Sequence, residues 1–239
     1  VMNRDGVPLP NVNIAVLNKP EHGSTLTHAD GTFSLEVNQS GSFTVTYDKA
    51  GYLPAQRTVT ANWQDYVWAD DVALVQLDTQ VTTINLSTPG IMQVAQGSEV
   101  TDSDGTRQAT LLIPAGTTAG IVMTDGTTQP ITNLSIRATE FTIGAMGDEA
   151  MPGVLPPTSG YTYALEYSVD EAMAAGAVSV EFSQPLYHYV ENFENIPVGM
   201  IVPMGYYDRK QGAWIPSANG RVIKIISITS GRADIDSDG

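Results

Sequence analysis

The chain has 239 residues, a formal net charge of −15 and no cysteine. A field of that sign repels phosphate backbones and disfavours nucleic-acid binding, while it attracts cations, with Ca²⁺ the natural one for an oxygen-rich surface. The missing cysteines remove thiol catalysis, disulfides and thiolate zinc sites, and no apolar run reaches the ~18 residues of a membrane span.

Charged residues are 15% of the chain; Thr, Ser and Gly stand in their place, as in β-proteins with many turns. No signal peptide opens the chain, Val1 reads as part of a strand, and the closing DIDSDG stops inside a motif. The expectation is a piece cut from a longer protein.

Residues 1–78 read as one region. Asp5-Gly6 marks a turn, and NVNIAVL (11–17) places Val12, Ile14 and Val16 on one face. After Asp30-Gly31, TFSLEV does the same with Phe33, Leu35 and Val37, and after Gly41, SFTVTY with Phe43, Val45 and Tyr47. RTVT (57–60) and DVALVQL (71–77) complete the set. Short alternating strands between Gly and Asp turns predict a small antiparallel sandwich. The runs DGVPLPNVNIAVLN, STLTHADGTFSLEV and GSFTVTYDKAGYLPAQRTV together resemble the carboxypeptidase regulatory-like (transthyretin-like) domain. That resemblance implies a β-sandwich that rides beside other domains and does no chemistry itself.

Residues 79–239 read as a second, larger β region. VTTINL (81–86), ATLLIPAGT (109–117), GIVMTDG (120–126) and NLSIRATEFTIG (133–144) are strand candidates, with a turn near 127–132 joining the last two. Residues 151–163, with three prolines, predict a rigid, partly extended loop. After the YALEYSV strand (163–169), Asp170 has the place of an N-cap for one helical turn closed by Gly176. VSVEFSQPLYHYV (178–190), interrupted by Pro185, and RVIKIISIT (221–229) are the remaining strands. In the last of these, Val222, Lys224, Ile226 and Ile228 oppose Ile223, Ile225 and Ser227. No period of 20–50 residues repeats.

The stretch 192–222 concentrates aromatics and charge in a Pro- and Gly-punctuated loop: Phe193, Tyr206, Tyr207 and Trp214, with Asp208 and Arg209 between them. A loop so rich in apolar surface has to pack on something, and the expectation is that 192–215 packs on the chain's own sandwich or on a neighbouring domain. LIPAGT, SIRATEFTIG, AMPGVLPPTSGYTYALEYSVDEA, VEFSQPLYHYVENF, PVGMIVPMGYYDRKQGAWIPSANGRV and DIDSDG resemble the segment ahead of the YD-repeat shell in bacterial Rhs and teneurin-like proteins. The resemblance implies a plug-like β-sandwich at the base of a hollow barrel, secreted or on a bacterial cell surface, with the shell beyond Gly239.

Five patterns are candidates for chemistry or binding. Asp234, Asp236 and Asp238 have the D-x-D-x-D-G spacing of a calcium loop, whose bidentate Glu would lie past Gly239; a solvated acidic linker is the other reading. Asp102 and Asp104 read as a plain turn before Gly105. His22, His28 and Asp30 match no metal spacing, and His188 has no nucleophile to serve. For glycoside hydrolysis two of Glu166, Glu181 and Glu191, or Asp170 with Glu171, would need to converge in a cleft. Tyr161 and Tyr163, together with Tyr206 and Tyr207, could line a glycan platform, or pack between modules.

The reading is an all-β, non-catalytic module that anchors or seals an adjoining barrel of the same polypeptide. A cell-surface adhesion or glycan-binding module, with a glycan or surface protein as partner, is the alternative.

Overall fold

In a computed structural model describing residues 1–157 and 159–239, strands make up 41% of the chain and helix 5%, the all-β class that the short alternating runs imply. Thr158, inside the expected Pro-rich loop, lies outside the described residues. Two compact units interleave along the chain. One is Val1–Val75 with Gly144–Tyr161 and Asn192–Gly239, and the other is Gln76–Ile143 with Thr162–Glu191. The region 79–239 thus contributes to both units, because two distant segments return to the first sandwich.

In the first unit, four antiparallel strands lie in the order Ser24–Leu26, Asn13–Val16, Gly41–Asp48 and Ala55–Ala61. The period-2 pattern sets the core: Phe43, Val45 and Tyr47 are buried, and Val12, Ile14, Ala55, Val72 and Leu74 pack with them. Burial also pushes the Tyr47 phenol up to about 12. A buried Thr27 hydroxyl ties the opening segment down, accepting from the Val12 amide at 2.9 Å and donating to the Leu9 carbonyl at 2.6 Å. In the Asp30-Gly31 turn, Gly31 has φ 78° and lies so close to Val1 that a Cβ would sit 2.2 Å from its carbonyl oxygen.

Two expected strands differ. Residues 32–37 form no strand, although Phe33, Leu35 and Val37 are half-buried against the core. Alternation here records burial without pairing. Of 71–77, Ala73–Leu74 alone is a strand, and it runs parallel to Met2–Asn3 where an antiparallel partner is expected. Its neighbours Val72 and Val75 are buried too, the continuous apolar pattern of a strand covered on both faces.

The second unit is built from three antiparallel three-stranded sheets. Leu165–Val169, Asn133–Glu140 and Thr82–Asn85 form one, and Tyr187–Tyr189, Thr110–Ile113 and Gln93–Gln96 another. Thr128–Ile131, Ala119–Val122 and Ser179–Phe182 form the third. Their core gathers Ile84, Leu111, Ile113, Ile121, Leu134, Ile136 and Val169. The stretch expected to be a turn at 127–132 is mostly strand. Pro130 is accommodated because Thr128–Ile131 is an edge strand, paired on one side.

The helical turn is Asp170–Ala174, with Val169 at the N-cap position and no side-chain cap. Asp170 is drawn away from capping by Arg137, whose Nε and NH2 donate to its two carboxylate oxygens at 2.7 and 2.9 Å. A bidentate ion pair outweighs a neutral cap bond.

Arg107 organises the Val100–Asp102 and Gly105–Arg107 hairpin. Its NH1 and NH2 donate to Asp102 at 2.9 and 2.8 Å, while Nε and NH2 donate to Glu140 at 2.8 and 2.6 Å. The Asp102 turn is therefore present, but it also serves the ion network. The Arg107 hydrogen bonds hold the Asp102 carboxyl down to about 2. A carboxylate depressed below its unfolded value of about 3.9 contributes stability above that value and loses it as pH falls toward 2. Urea midpoints should therefore decline between about pH 5 and pH 2. Asp102→Asn should be less stable at pH 7 and show a shallower decline, because it has no carboxyl to protonate; an unchanged pH profile would contradict this.

Candidate functional site

Ala55–Ala61 pairs on one side with Gly41–Asp48. Its other side is where the returning segments attach. The Gln56 amide donates to the Pro152 carbonyl at 2.8 Å, so part of the free edge is closed by main chain from 144–161. Arg57, 3% exposed, then reaches into that segment. Its NH1 donates to the carbonyls of Gln56 at 2.7 Å and Met151 at 3.0 Å, and its NH2 to those of Glu149 at 2.7 Å and Asp148 at 3.4 Å. The planar fork of a guanidinium matches several carbonyls at once, which a lysine ammonium does not. Burial lowers the Arg57 pKa, and the carbonyl dipoles are what make the charge tolerable there.

The stretch 205–216 packs against the same strand, with Gly212 beside the Thr44 and Gln56 side chains. Gly205–Asp208 pairs with Ala213–Pro216, which places Tyr207 opposite Trp214, with ring centroids 5.4 Å apart at 61°. The Tyr207 hydroxyl donates to Gln56 Oε1 at 3.0 Å, and Gln56 Nε2 donates to the Arg209 carbonyl at 3.0 Å. Arg209 NH2 donates to the Pro54 carbonyl at 3.2 Å, and Trp214 Nε1 to the Gly153 carbonyl at 3.2 Å. Asp208 folds the connecting turn: its carboxylate accepts from the amides of Lys210 and Gln211 and from Gln211 Nε2. Those bonds, the Gln211 side chain first, hold its pKa below the ordinary carboxylate value.

Gly153 is where the two returning segments meet most tightly, since a Cβ there would lie 2.2 Å from Tyr207 Cε2. Gly153→Ala must displace the ring, at a cost of about 1–3 kcal/mol. Thermal unfolding checks this, with Gly160→Ala as the control, because nothing lies within 4 Å of the added carbon there.

The other expected residues are scattered. Tyr206 is exposed on the opposite face of its strand from Tyr207, and Phe193 is half-buried. Tyr161 belongs to the first unit and Tyr163 to the second. Burial raises both phenols, Tyr163 far above the ordinary tyrosine value. Tyr163 stacks on His188 at 6.3 Å, and the Tyr167 hydroxyl lies 2.6 Å from His188 Nδ1. Burial lowers the His188 pKa, which suits a neutral, packed ring.

Three of the candidate carboxylates have structural partners. Asp170 pairs with Arg137, Glu171 accepts from the amide and hydroxyl of Ser135, and Glu191 accepts from the Gln108 amide. Glu181 is exposed on the Ser179–Phe182 strand. His22 sits edge-on to Phe43 at 5.6 Å.

Among the described residues, no three His, Asp or Glu side chains gather to hold a metal. Asp234 faces Ser227 across a strand pair, and Asp236 Oδ1 accepts from the amides of Asp238 and Gly239. The three aspartates do not form a calcium cage in this conformation. Gln56, Arg57 and Gly153 carry the seam without any sequence signal beyond a charged residue in an alternating strand.

Among the described residues no helix is long and apolar enough to cross a membrane. The family described as the teneurin TTR-like domain matches residues 1–74. Teneurin-3 of Danio rerio is 31% identical over 87 residues, 36% of this chain and 3% of that protein. Teneurin-1 of Gallus gallus is 29% identical over 83 residues, and teneurin-4 of Homo sapiens 28% over 87. The matches thus span about a third of this chain and 3% of the length of each relative. Over residues 1–74 the chain is similar to the teneurin TTR-like domain and to teneurins.

Proposed function

We propose that the chain is a non-catalytic structural β module of a large, secreted or surface-displayed protein of the teneurin-like, Rhs/YD-repeat kind, where it anchors or seals an adjoining barrel. The observation that carries this reading is the seam at Ala55–Ala61. The residues that looked most like a site, Tyr207, Asp208, Arg209 and Trp214, spend their polar groups on main-chain carbonyls, turn amides and Gln56. Such a seam makes one stiff body from segments far apart in sequence, which is what an anchoring part needs. The similarity of 1–74 to a teneurin domain supports the larger setting. Deleting these 239 residues from the longer polypeptide should leave the remainder sensitive to limited proteolysis. A remainder that stays resistant would overturn the reading.

The adhesion or glycan-binding alternative has one observation in its favour, away from the tyrosines first considered. Trp63, Tyr66 and Trp68 are 63%, 99% and 94% exposed on the 62–71 loop. Rings this open are available to stack on a sugar or a partner surface. A glycan that binds the chain and is lost in Trp68→Ala would shift the conclusion to that reading.

A further inference from the structure

The last two strands, Lys224–Thr229 and Arg232–Asp236, form a ribbon by themselves. Ser230 and Gly231 both have positive φ, 51° and 75°, in the two-residue loop that joins them, the hairpin form whose twist suits the flanking strands. The pairing shifts register between Ile225 and Ser227, so Ile226 is an extra residue in the first strand. That bulge changes which side chains share a face. Ile225 lies opposite Ile235, and Ile228 opposite Ala233, so these four project to one side. Lys224, Ser227, Thr229, Arg232, Asp234 and Asp236 project to the other. Without the bulge, Ile225 and Ile228 would lie on opposite faces.

The apolar face is open. Ile225, Ile228 and Ile235 are 56%, 69% and 49% exposed. Both outer edges are open too, since among the described residues each strand pairs with the other and with no third strand. A two-stranded hairpin of this kind is marginal in water alone. The occupant it lacks must supply a strand edge and an apolar face together, which means a β-sheet and not a helix or a small ligand. Size decides how that sheet is held. Three isoleucines and an alanine offer roughly a few hundred Å², well short of the ~800 Å² per partner of a stable association between free proteins. A face this small closes when the partner is tethered and its effective concentration is high. The ribbon also escapes the repulsion of the −15 chain: residues 220–236 carry three basic side chains, Arg221, Lys224 and Arg232, against Asp234 and Asp236.

We infer that the 224–236 ribbon is the docking element of this module, and that its occupant is a β-sheet of the same polypeptide which extends the ribbon at an edge and covers Ile225, Ile228 and Ile235. This rests on the reading of the chain as a module of a larger protein and names the surface that does the joining. Amide hydrogen exchange, read by mass spectrometry on the 239-residue chain and on the longer polypeptide containing it, tests it. Exchange at 224–236 should slow by about tenfold or more in the longer polypeptide. Ile228→Lys, at a site exposed in the 239-residue chain, should restore the fast exchange without disturbing 41–48. Equal exchange at 224–236 in both would overturn the inference. If another segment such as 62–71 became protected instead, docking would use a different surface and the module reading would stand. If no segment gained protection, both would fall. Protection that rises with concentration in the 239-residue chain itself would assign the ribbon to a second copy and overturn the inference as well.

Discussion

Arg57→Met should lower the unfolding free energy by about 3–5 kcal/mol at pH 7, among the largest losses a single change can cause here. The methionine keeps much of the volume but removes every donor. The buried Met151 carbonyl, now 3.0 Å from the guanidinium, would lose its donor, and so would the part-buried Glu149 carbonyl at 2.7 Å. Each such group costs about 1–3 kcal/mol. Removing a desolvated charge gives something back, since burial already lowers the Arg57 pKa. The carbonyls cannot be removed with it, so the loss outweighs the gain. Arg57→Lys should recover less than half of the difference, because a single ammonium cannot span the same carbonyls. The loss corresponds to a fall in Tm of about 10 °C for a chain this long. A variant as stable as the original in urea would show that the seam does not depend on Arg57.

Arg107→Met should cost a similar ~3–5 kcal/mol, for a different reason. Glu140 is buried, and Arg107 supplies two of its hydrogen bonds, with Thr142 Oγ1 adding a third at 2.6 Å. Removing the arginine takes two donors from a buried carboxylate and takes the ion partner from Asp102 as well. The double variant Arg107→Met with Glu140→Gln tests the assignment, because the neutral amide no longer needs a cation. It should recover about 1–3 kcal/mol relative to Arg107→Met alone, as strong coupling requires. If the two losses simply add, the pair is not coupled and the network is incidental.

The sequence shows most of the strands and little of the seam, and particular residues explain the difference. Phe43, Val45 and Tyr47 alternate because one face of their strand is core, and that pattern is local. Phe33, Leu35 and Val37 alternate equally well, yet 32–37 forms no strand, since hydrophobic period reports burial and not hydrogen bonding. Asp170 looks like a cap until Arg137, 33 residues away in the chain, claims it. Ile226 defeats face assignment from spacing, because one bulged residue reverses the parity of every later position in its strand. The expectation that 192–215 packs on a sandwich needs only its aromatic content. Gln56, on which it packs, and Arg57, which holds 148–151, are separated from those partners by 91 to 153 positions, and nothing in their neighbourhood announces them. Gly153 is equally silent; its need for glycine arises from the Tyr207 ring alone.

The seam should make 205–216 part of the same cooperative body as the first sandwich. Native-state hydrogen exchange under low urea measures this directly. The amides of Gly205–Asp208 and of residues 213–215 should open with the same free energy and the same urea dependence as those of Gly41–Asp48. Arg57→Met should lower both together. Exchange of 205–216 at a much smaller opening free energy, with Gly41–Asp48 still protected, would contradict it: the aromatic stretch would then rest on the sandwich without being fastened to it.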